Sequence, residues 1–492
     1  MGQVSKTHTS ADAPLPSTDK SFFGQPRMLL NLFSVELWER FSFYGMQGIL
    51  AYYMYYTATR GGLGIKDTVA LGIVGAYGGG VYLSTILGAW VADRLMGSER
   101  VLFYSAMMIM AGHISLALLP GAAGLAAGLI MIAVGSGGLK ANATSLVGSL
   151  YGEKDDRRDA GFSIFYMGIN IGGLIGPLLT GLLQTTLGFH YGFGAAAVGM
   201  AIGLTQYGLT RKNLPEEAHL VANPLPRSRY PMMIVIAAAA IVLMVLAVLI
   251  GVVTAANLKW VVVGVVVLAT VAYFIVILSS RKVDAVERSR VYSFIPLFIA
   301  SAAFWSLFQQ QFTVVALYAD KRLDRNLFGW EMPASWATSI NPVFIIIFAG
   351  VFAALWTKLG SRQWTTPIKF AAALVIMGLA YLSFIPVAGI ASVPLLALVW
   401  ILLLFTFAEL LLSPVGLSLA TKLAPRAFHT QMVALFFLSV ALGTALSGVF
   451  AGYYREDNET PYFAVIGIAA IVLGVVLALA SKPIKRLMAG VH

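Results

Sequence analysis

Glu36, Glu39 and Arg40 stand within five positions of one another in LLNLFSVELWERFSFYGMQGILAYYMYY, residues 29–56, a stretch otherwise apolar enough to cross a bilayer. One charged side chain at mid-membrane costs about 2.5–3.5 kcal/mol on insertion scales, so three must pair or line a polar cavity. On a helix turning about 100° per residue, Arg40 falls about 40° from Glu36, with Phe43, Gln47 and Glu39 on the same side. One face of this helix is therefore polar. Glu36 and Arg40 are also an i, i+4 pair and satisfy part of each other's charge. The bland alternative is a self-paired ion cluster that only pins helix packing.

Two further ions are isolated in apolar surroundings. GSGGLKANATS, residues 135–145, carries Lys140, and FAELLLSPVGL, residues 407–417, carries Glu409 beside Pro414. A lone ammonium in a membrane helix needs an anion nearby, and the two ions fall in opposite halves of the chain. A contact between them would act as a gate as well as a charge match. The glycines at 135, 137 and 138 allow another backbone to come close; the stretch lacks the spacing and the preceding strand of a phosphate loop. Taken together, three carboxylates face two cations, and one bound proton neutralises the set. That is the least a proton-coupled carrier requires.

These residues need elements that hold them inside a membrane, and the composition supplies them. Of 492 residues, 59 % are hydrophobic and 11 % charged, with a mean hydropathy of +0.82. This describes an all-α polytopic membrane protein. Without cysteine there is no disulfide framework and no thiolate chemistry. The polar residues 1–27 lack an apolar core and read as a disordered cytoplasmic tail rather than a signal peptide. Apolar runs long enough to span centre on 30–56, 69–92, 101–119, 122–149, 160–186, 191–210, 231–255, 259–280, 292–318, 335–357, 365–387, 392–420, 430–452 and 462–481, which makes fourteen transmembrane helices.

Loop charge supports this count. Of 33 Lys and Arg, only seven (Arg60, Lys66, Lys259, Lys321, Arg322, Arg325 and Arg455) fall in loops on the side opposite the N-terminus, beside seven acids. The net charge of +11 is therefore a cytoplasmic bias, with both termini inside; it is not a nucleic-acid-binding signal. The segments at 231–255 and 259–280 carry almost no polar side chain and read as lipid-facing and functionally plain. Without them, six helices remain on each side, as in a two-bundle transporter with its site at the bundle interface. The expected organisation is a tail over 1–27, a six-helix bundle over 28–212, a connector with two additional helices over 213–290, and a second bundle over 291–486.

ELWERFSFYG resembles the ExxER signature of the proton-dependent oligopeptide transporter family, within the major facilitator superfamily, and FSIFYMGINIG at 162–172 is similar to its second signature. GLKAN around Lys140, FWSLFQQ at 304–310, INPVFI at 340–345, PIKFA at 367–371 and AELLLSPVGLS at 408–418 match as well, while GAWVADRLMG at 88–97 is similar to a superfamily motif in which Asp93 and Arg94 latch neighbouring helices. The resemblance covers nearly all of residues 30–485. It implies a major facilitator fold of two six-helix bundles plus two extra helices, and symport of di- and tripeptides, with peptide-like drugs as further cargo, by alternating access. The coupling ion would be the proton, with no other cofactor and no metal. The setting would be a bacterial inner membrane, in direct contact with the lipid bilayer, and the functional unit a monomer.

Residue by residue, the resemblance implies that Glu36, Glu39, Arg40, Lys140 and Glu409 serve proton coupling. Arg40 and Lys140 would hold the peptide carboxylate, and Glu409, Asn170 and Asn341 the amino end and backbone. Tyr44, Tyr82, Trp305 and Gln309 would line the pocket; aromatic residues in membrane helices also serve simply as packing or interface anchors. The chain departs from the family at Gln309, where glutamate is common and glutamine takes up no proton. Phe436 replaces a common Trp, Thr444 an Asn and Ala141 a Pro. Competing readings are a relative that moves another anion or a drug-like molecule, a non-transporting peptide receptor, and a membrane enzyme. The last finds no HExxH, no GxSxG and no paired catalytic aspartates in a membrane helix.

Overall fold

The computed structural model describes residues 21–151, 155 and 157–491. Residues 1–20 of the expected tail lie outside the described residues. The chain is helical almost throughout: α1 (Arg27–Tyr55), α2 (Asp67–Val91), α3 (Ser98–Leu118), α4 (Gly121–Ser149), α5 (Arg158–Thr186), α6 (Phe189–Thr210), α7 (Tyr230–Leu249), α8 (Leu258–Ser279), α9 (Ala285–Phe308), α10 (Val314–Lys321), α11 (Ile340–Leu359), α12 (Thr366–Leu382), α13 (Leu395–Leu423), α14 (His429–Ala451), α15 (Glu459–Leu479) and the short α16 (Ser481–Leu487). Twelve spans among the described residues are long and apolar enough to cross a membrane, with α9 and α10 forming one of them over Ala285–Lys321. Helices α1 and α6 complete fourteen. Helix α1 stays below the hydropathy of the others because it carries Glu36, Glu39 and Arg40.

Helices α1–α6 pack among themselves, α1 against α5 and α6 and α3 against α4, while α9 and α11–α15 form a second group. The groups meet along α2–α14 and α5–α11. Glycine makes the first seam close: a Cβ placed on Gly75 would stand 2.5 Å from Gly448 Cα, so no larger side chain fits with the helices as they are. The α1–α5 contact inside the first group is similar, with Thr180 donating its hydroxyl to the Gly45 carbonyl at 2.8 Å. Helix α9 starts on a capping box, Asp284 accepting from the Glu287 amide at 2.8 Å and Glu287 accepting from the Asp284 amide at 3.3 Å.

Two features depart from the sequence reading. The span expected to be continuous over 292–318 breaks at Gln309–Phe312, a 3-10 turn between α9 and α10. Neither Gly nor Pro marks the break; side chains from neighbouring helices bond to it, Tyr381 donating to the Leu307 backbone carbonyl at 2.8 Å and Tyr462 to the Gln310 side-chain Oε1 at 2.8 Å. The second departure concerns the additional pair. Helix α7 has no buried residue, as its uniform composition predicts. Helix α8 lies across the α2–α14 seam, with Val266, Thr270 and Ile277 buried. It is a contact of both groups rather than plain lipid-facing helix.

The halves close on the face away from the termini. There Tyr55 and Tyr56 donate to the two oxygens of Asp320 at 2.8 and 2.6 Å, and Tyr52 to the Ala316 carbonyl at 3.1 Å. Trp336 Nε1 and Ser339 add bonds to the Leu178 and Leu174 carbonyls at 2.9 and 3.0 Å. Toward the terminal face the two groups line a common vestibule.

Candidate substrate cavity

A cavity of about 320 Å³ lies between the halves, lined by Glu36, Arg40, Tyr44, Tyr82, Lys140, Asn170, Trp305, Gln309, Asn341 and Glu409 among others. Of the residues expected to matter, only Glu39 is absent from its wall. The cavity continues toward the terminal face into a vestibule of about 1110 Å³ through shared walls at Lys140, Thr144, Leu417 and Phe437. Its other end is sealed by the tyrosine and Asp320 contacts.

Helix α1 presents the ion cluster. Arg40 Nε stands 2.6 Å from Glu36 Oε1 and 3.2 Å from Glu39 Oε2. Glu36 lines the cavity, whereas Glu39 has 0 % exposure and accepts a hydrogen bond from Ser136 on α4 at 3.0 Å. The two glutamates occupy different environments although they are three residues apart. The second oxygen of Glu36, Oε2, has no hydrogen-bond partner among the described residues. An unpaired buried oxygen of this kind is costly unless a proton or a ligand reaches it.

Lys140 also comes from α4, one turn beyond Ser136. Its Nζ lies over the rings of Phe43 and Tyr82, 4.4 and 4.7 Å from their centroids, and forms no ion pair with a described carboxylate. Glu409 on α13 lies across the cavity, where its Oε2 accepts from Asn341 Nδ2 at 3.2 Å; Asn341 also donates to Thr406 Oγ1 at 3.0 Å. Lys140 and Glu409 thus share one cavity without touching. The cation rests on the aromatic faces of Phe43 and Tyr82 instead of on a carboxylate.

The aromatic walls come from both halves. Tyr44 stacks on Phe312 with centroids 6.0 Å apart, bridging α1 and the α9–α10 break. Trp305 is buried, and its Nε1 has no partner among the described residues. Gln309 and Gln311 reach the cavity from the break. Asn170 donates to the Tyr166 carbonyl one turn back at 2.9 Å. Sequence reasoning passed over Tyr166, Phe308, Gln311 and Phe312 as pocket residues. It placed Gln47 on the polar face of α1 without assigning it; Gln47 lines the cavity, and its Oε1 is unpartnered among the described residues. The Asp93–Arg94 motif bonds to the connector rather than to a neighbouring helix: the Asp93 and Arg94 carbonyls accept from the Asn223 and Leu225 amides, each at 2.9 Å.

Two helical groups meeting around a central polar cavity, sealed at one face and open at the other, with a broken helix at its wall, define a transporter of the major facilitator fold. The chain belongs to the POT family, whose profile matches residues 99–468. It is 44 % identical to an uncharacterized transporter of Bacillus subtilis, over 96 % of this chain and 97 % of that one. Identity to a di-/tripeptide transporter of Lactococcus lactis is 39 %, over 97 % and 99 % of the two chains. Among solved structures, it superposes at a TM-score of 0.91 on a POT peptide transporter crystallised as a glutamate-to-glutamine variant with alafosfalin, 45 % identical over 96 % of this chain and 100 % of that one.

Proposed function

We propose that the protein imports di- and tripeptides together with protons, as a monomer in a bacterial inner membrane with both termini cytoplasmic. The terminal face is then the cytoplasmic one, in keeping with the gathering of Lys and Arg in its loops. Residues 28–212 and 291–486 act as the two moving bodies, and on this reading the vestibule between them opens to the cytoplasm.

The observation that carries this reading is the charge layout of the cavity, with Arg40 and Lys140 on one half and Glu409, held by Asn341, on the other. Every short peptide has a carboxylate and an ammonium at its ends, while its side chains vary. Cations on one wall and an acid on the opposite wall read the ends, and the aromatic walls of Tyr44, Tyr82 and Trp305 accept the rest. Asn170 and Gln309 supply amide groups for the peptide backbone. A peptide bridging the walls draws the halves together, which is how binding energy drives closure of the open face.

Proton coupling follows from the α1 cluster. When a peptide carboxylate engages Arg40, the guanidinium loosens from Glu36, and the freed carboxylate takes a proton from the cavity. Glu39 remains the fixed counter-ion. Gln309 carries no proton, so the coupling proton resides on Glu36 or Glu409. The proton is the coupling ion, and the chemistry calls for no metal or organic cofactor.

The test is uptake of labelled dialanine into liposomes containing the purified protein, driven by an acid exterior. Accumulation above equilibrium that collapses with a protonophore supports the proposal. Binding without exchange would make the protein a receptor. Peptide-like drugs carrying the same two termini should compete with dialanine, whereas nitrate should not; competition by nitrate alone would favour the anion-carrier reading.

A further inference from the structure

Apart from Lys140, Thr144, Leu417 and Phe437, which it shares with the central cavity, the vestibule on the terminal face has a lining that the transport chemistry does not use. Arg94 just beyond α2, Arg158 at the first position of α5 and Arg229 just before α7 all face it, with Asp93 the one acid on its wall among the described residues. None of the three guanidiniums forms an ion pair with a described carboxylate. All three sit at helix ends on the same face, the level at which lipid phosphates lie.

On the side of the two additional helices the vestibule is lined by Met232 and Met233 of α7 and Tyr273 of α8, and α7 has no buried residue. The connector is nevertheless fixed: its backbone bonds to Asp93 and Arg94, and Arg211 holds Glu99 of α3 with Nε 2.8 Å from Oε1. Arg229 is therefore held near the end of α2, beside helix α7, which has no buried residue.

We propose that the vestibule seats the headgroup of one anionic phospholipid, its phosphate among Arg94, Arg158 and Arg229 and its acyl chains along Met232, Met233 and Tyr273. Guanidinium forks match phosphate oxygens, and the adjoining apolar wall suits a lipid tail better than a soluble anion. Because the vestibule continues into the central cavity, a lipid seated there narrows the exit of cargo and makes release sensitive to lipid composition.

Native mass spectrometry of the full chain in detergent, with phosphatidylglycerol and phosphatidylcholine in equal amounts, tests the assignment. One phosphatidylglycerol should be retained in preference to phosphatidylcholine. Arg229→Gln, at an exposed position, should weaken retention about five-fold, and the Arg94→Gln, Arg158→Gln, Arg229→Gln triple variant about 100-fold. Equal retention of the two lipids overturns the proposal, as does unchanged phosphatidylglycerol binding in Arg229→Gln. Displacement of the lipid by millimolar glycerol phosphate would show a site for soluble phosphate instead. If the triple variant fails to fold, the single variant and the competition decide.

Discussion

Ser136 donates its hydroxyl to Glu39 at 3.0 Å, in a position closed to the cavity that Glu36 lines. The two carboxylates of one motif are thus separated, one facing the cavity and the other facing helix α4. Glu36→Gln should abolish accumulation driven by a pH gradient while retaining peptide-for-peptide counterflow, since exchange moves no net proton. Glu39→Gln should instead lower thermal stability, because removing one partner of a buried ion pair costs about 3–5 kcal/mol. Proteoliposome uptake and a thermal melt read the two outcomes. Full accumulation in the double variant would return the motif to a packing role.

Lys140→Ala should eliminate proton-driven accumulation and weaken peptide binding by at least ten-fold, about 1.4 kcal/mol. The ammonium stands on Phe43 and Tyr82 with no carboxylate partner among the described residues, so it is available to cargo. Calorimetric titration with dialanine measures the loss. Unchanged affinity would remove Lys140 from the substrate site.

Gln309→Glu should displace the midpoint of the uptake–pH curve by adding a titrating carboxylate to the cavity wall that Arg40 shares. Gln309→Leu has nothing to titrate, so it should leave the midpoint in place and only lower affinity. Initial rates across a series of external pH values distinguish them. A coincident pair of curves would place residue 309 outside the coupling set.

Asp320→Asn should loosen the sealed face, since Tyr55 and Tyr56 both donate to this carboxylate at 2.8 and 2.6 Å. Hydrogen bonds to a charged acceptor are worth about 1.5–3 kcal/mol each, so the loss shifts the balance of conformations by ten-fold or more. The chain has no cysteine, which allows spin labels at Thr59→Cys and Asp324→Cys without background. Pulsed distance measurements should show a longer population in the variant; identical distributions would mean that the Tyr52, Trp336 and Ser339 bonds and the α2–α14 packing hold this face without Asp320.

Residue types and their spacing determined a large part of this protein. A charge inside a membrane is too costly to be incidental, so Glu36, Arg40, Lys140 and Glu409 stood out before any packing was known, and the fold gathers all four on one cavity. Uniform apolar runs fixed the fourteen helices for the same reason, since backbone in lipid must bond within its own segment. The tertiary structure decided what depends on approach between distant segments. It separated Glu36 from Glu39, because only packing of α4 on α1 brings Ser136 to one of them. It kept Lys140 and Glu409 apart, because their distance reflects how the halves are tilted and not any local preference. The break at Gln309–Phe312 was hidden, since the groups that stabilise it, Tyr381 and Tyr462, lie more than 60 positions away. The role of α8 was hidden too: its apolar sequence suits lipid and the α2–α14 seam equally well, and only the fold places it on the seam.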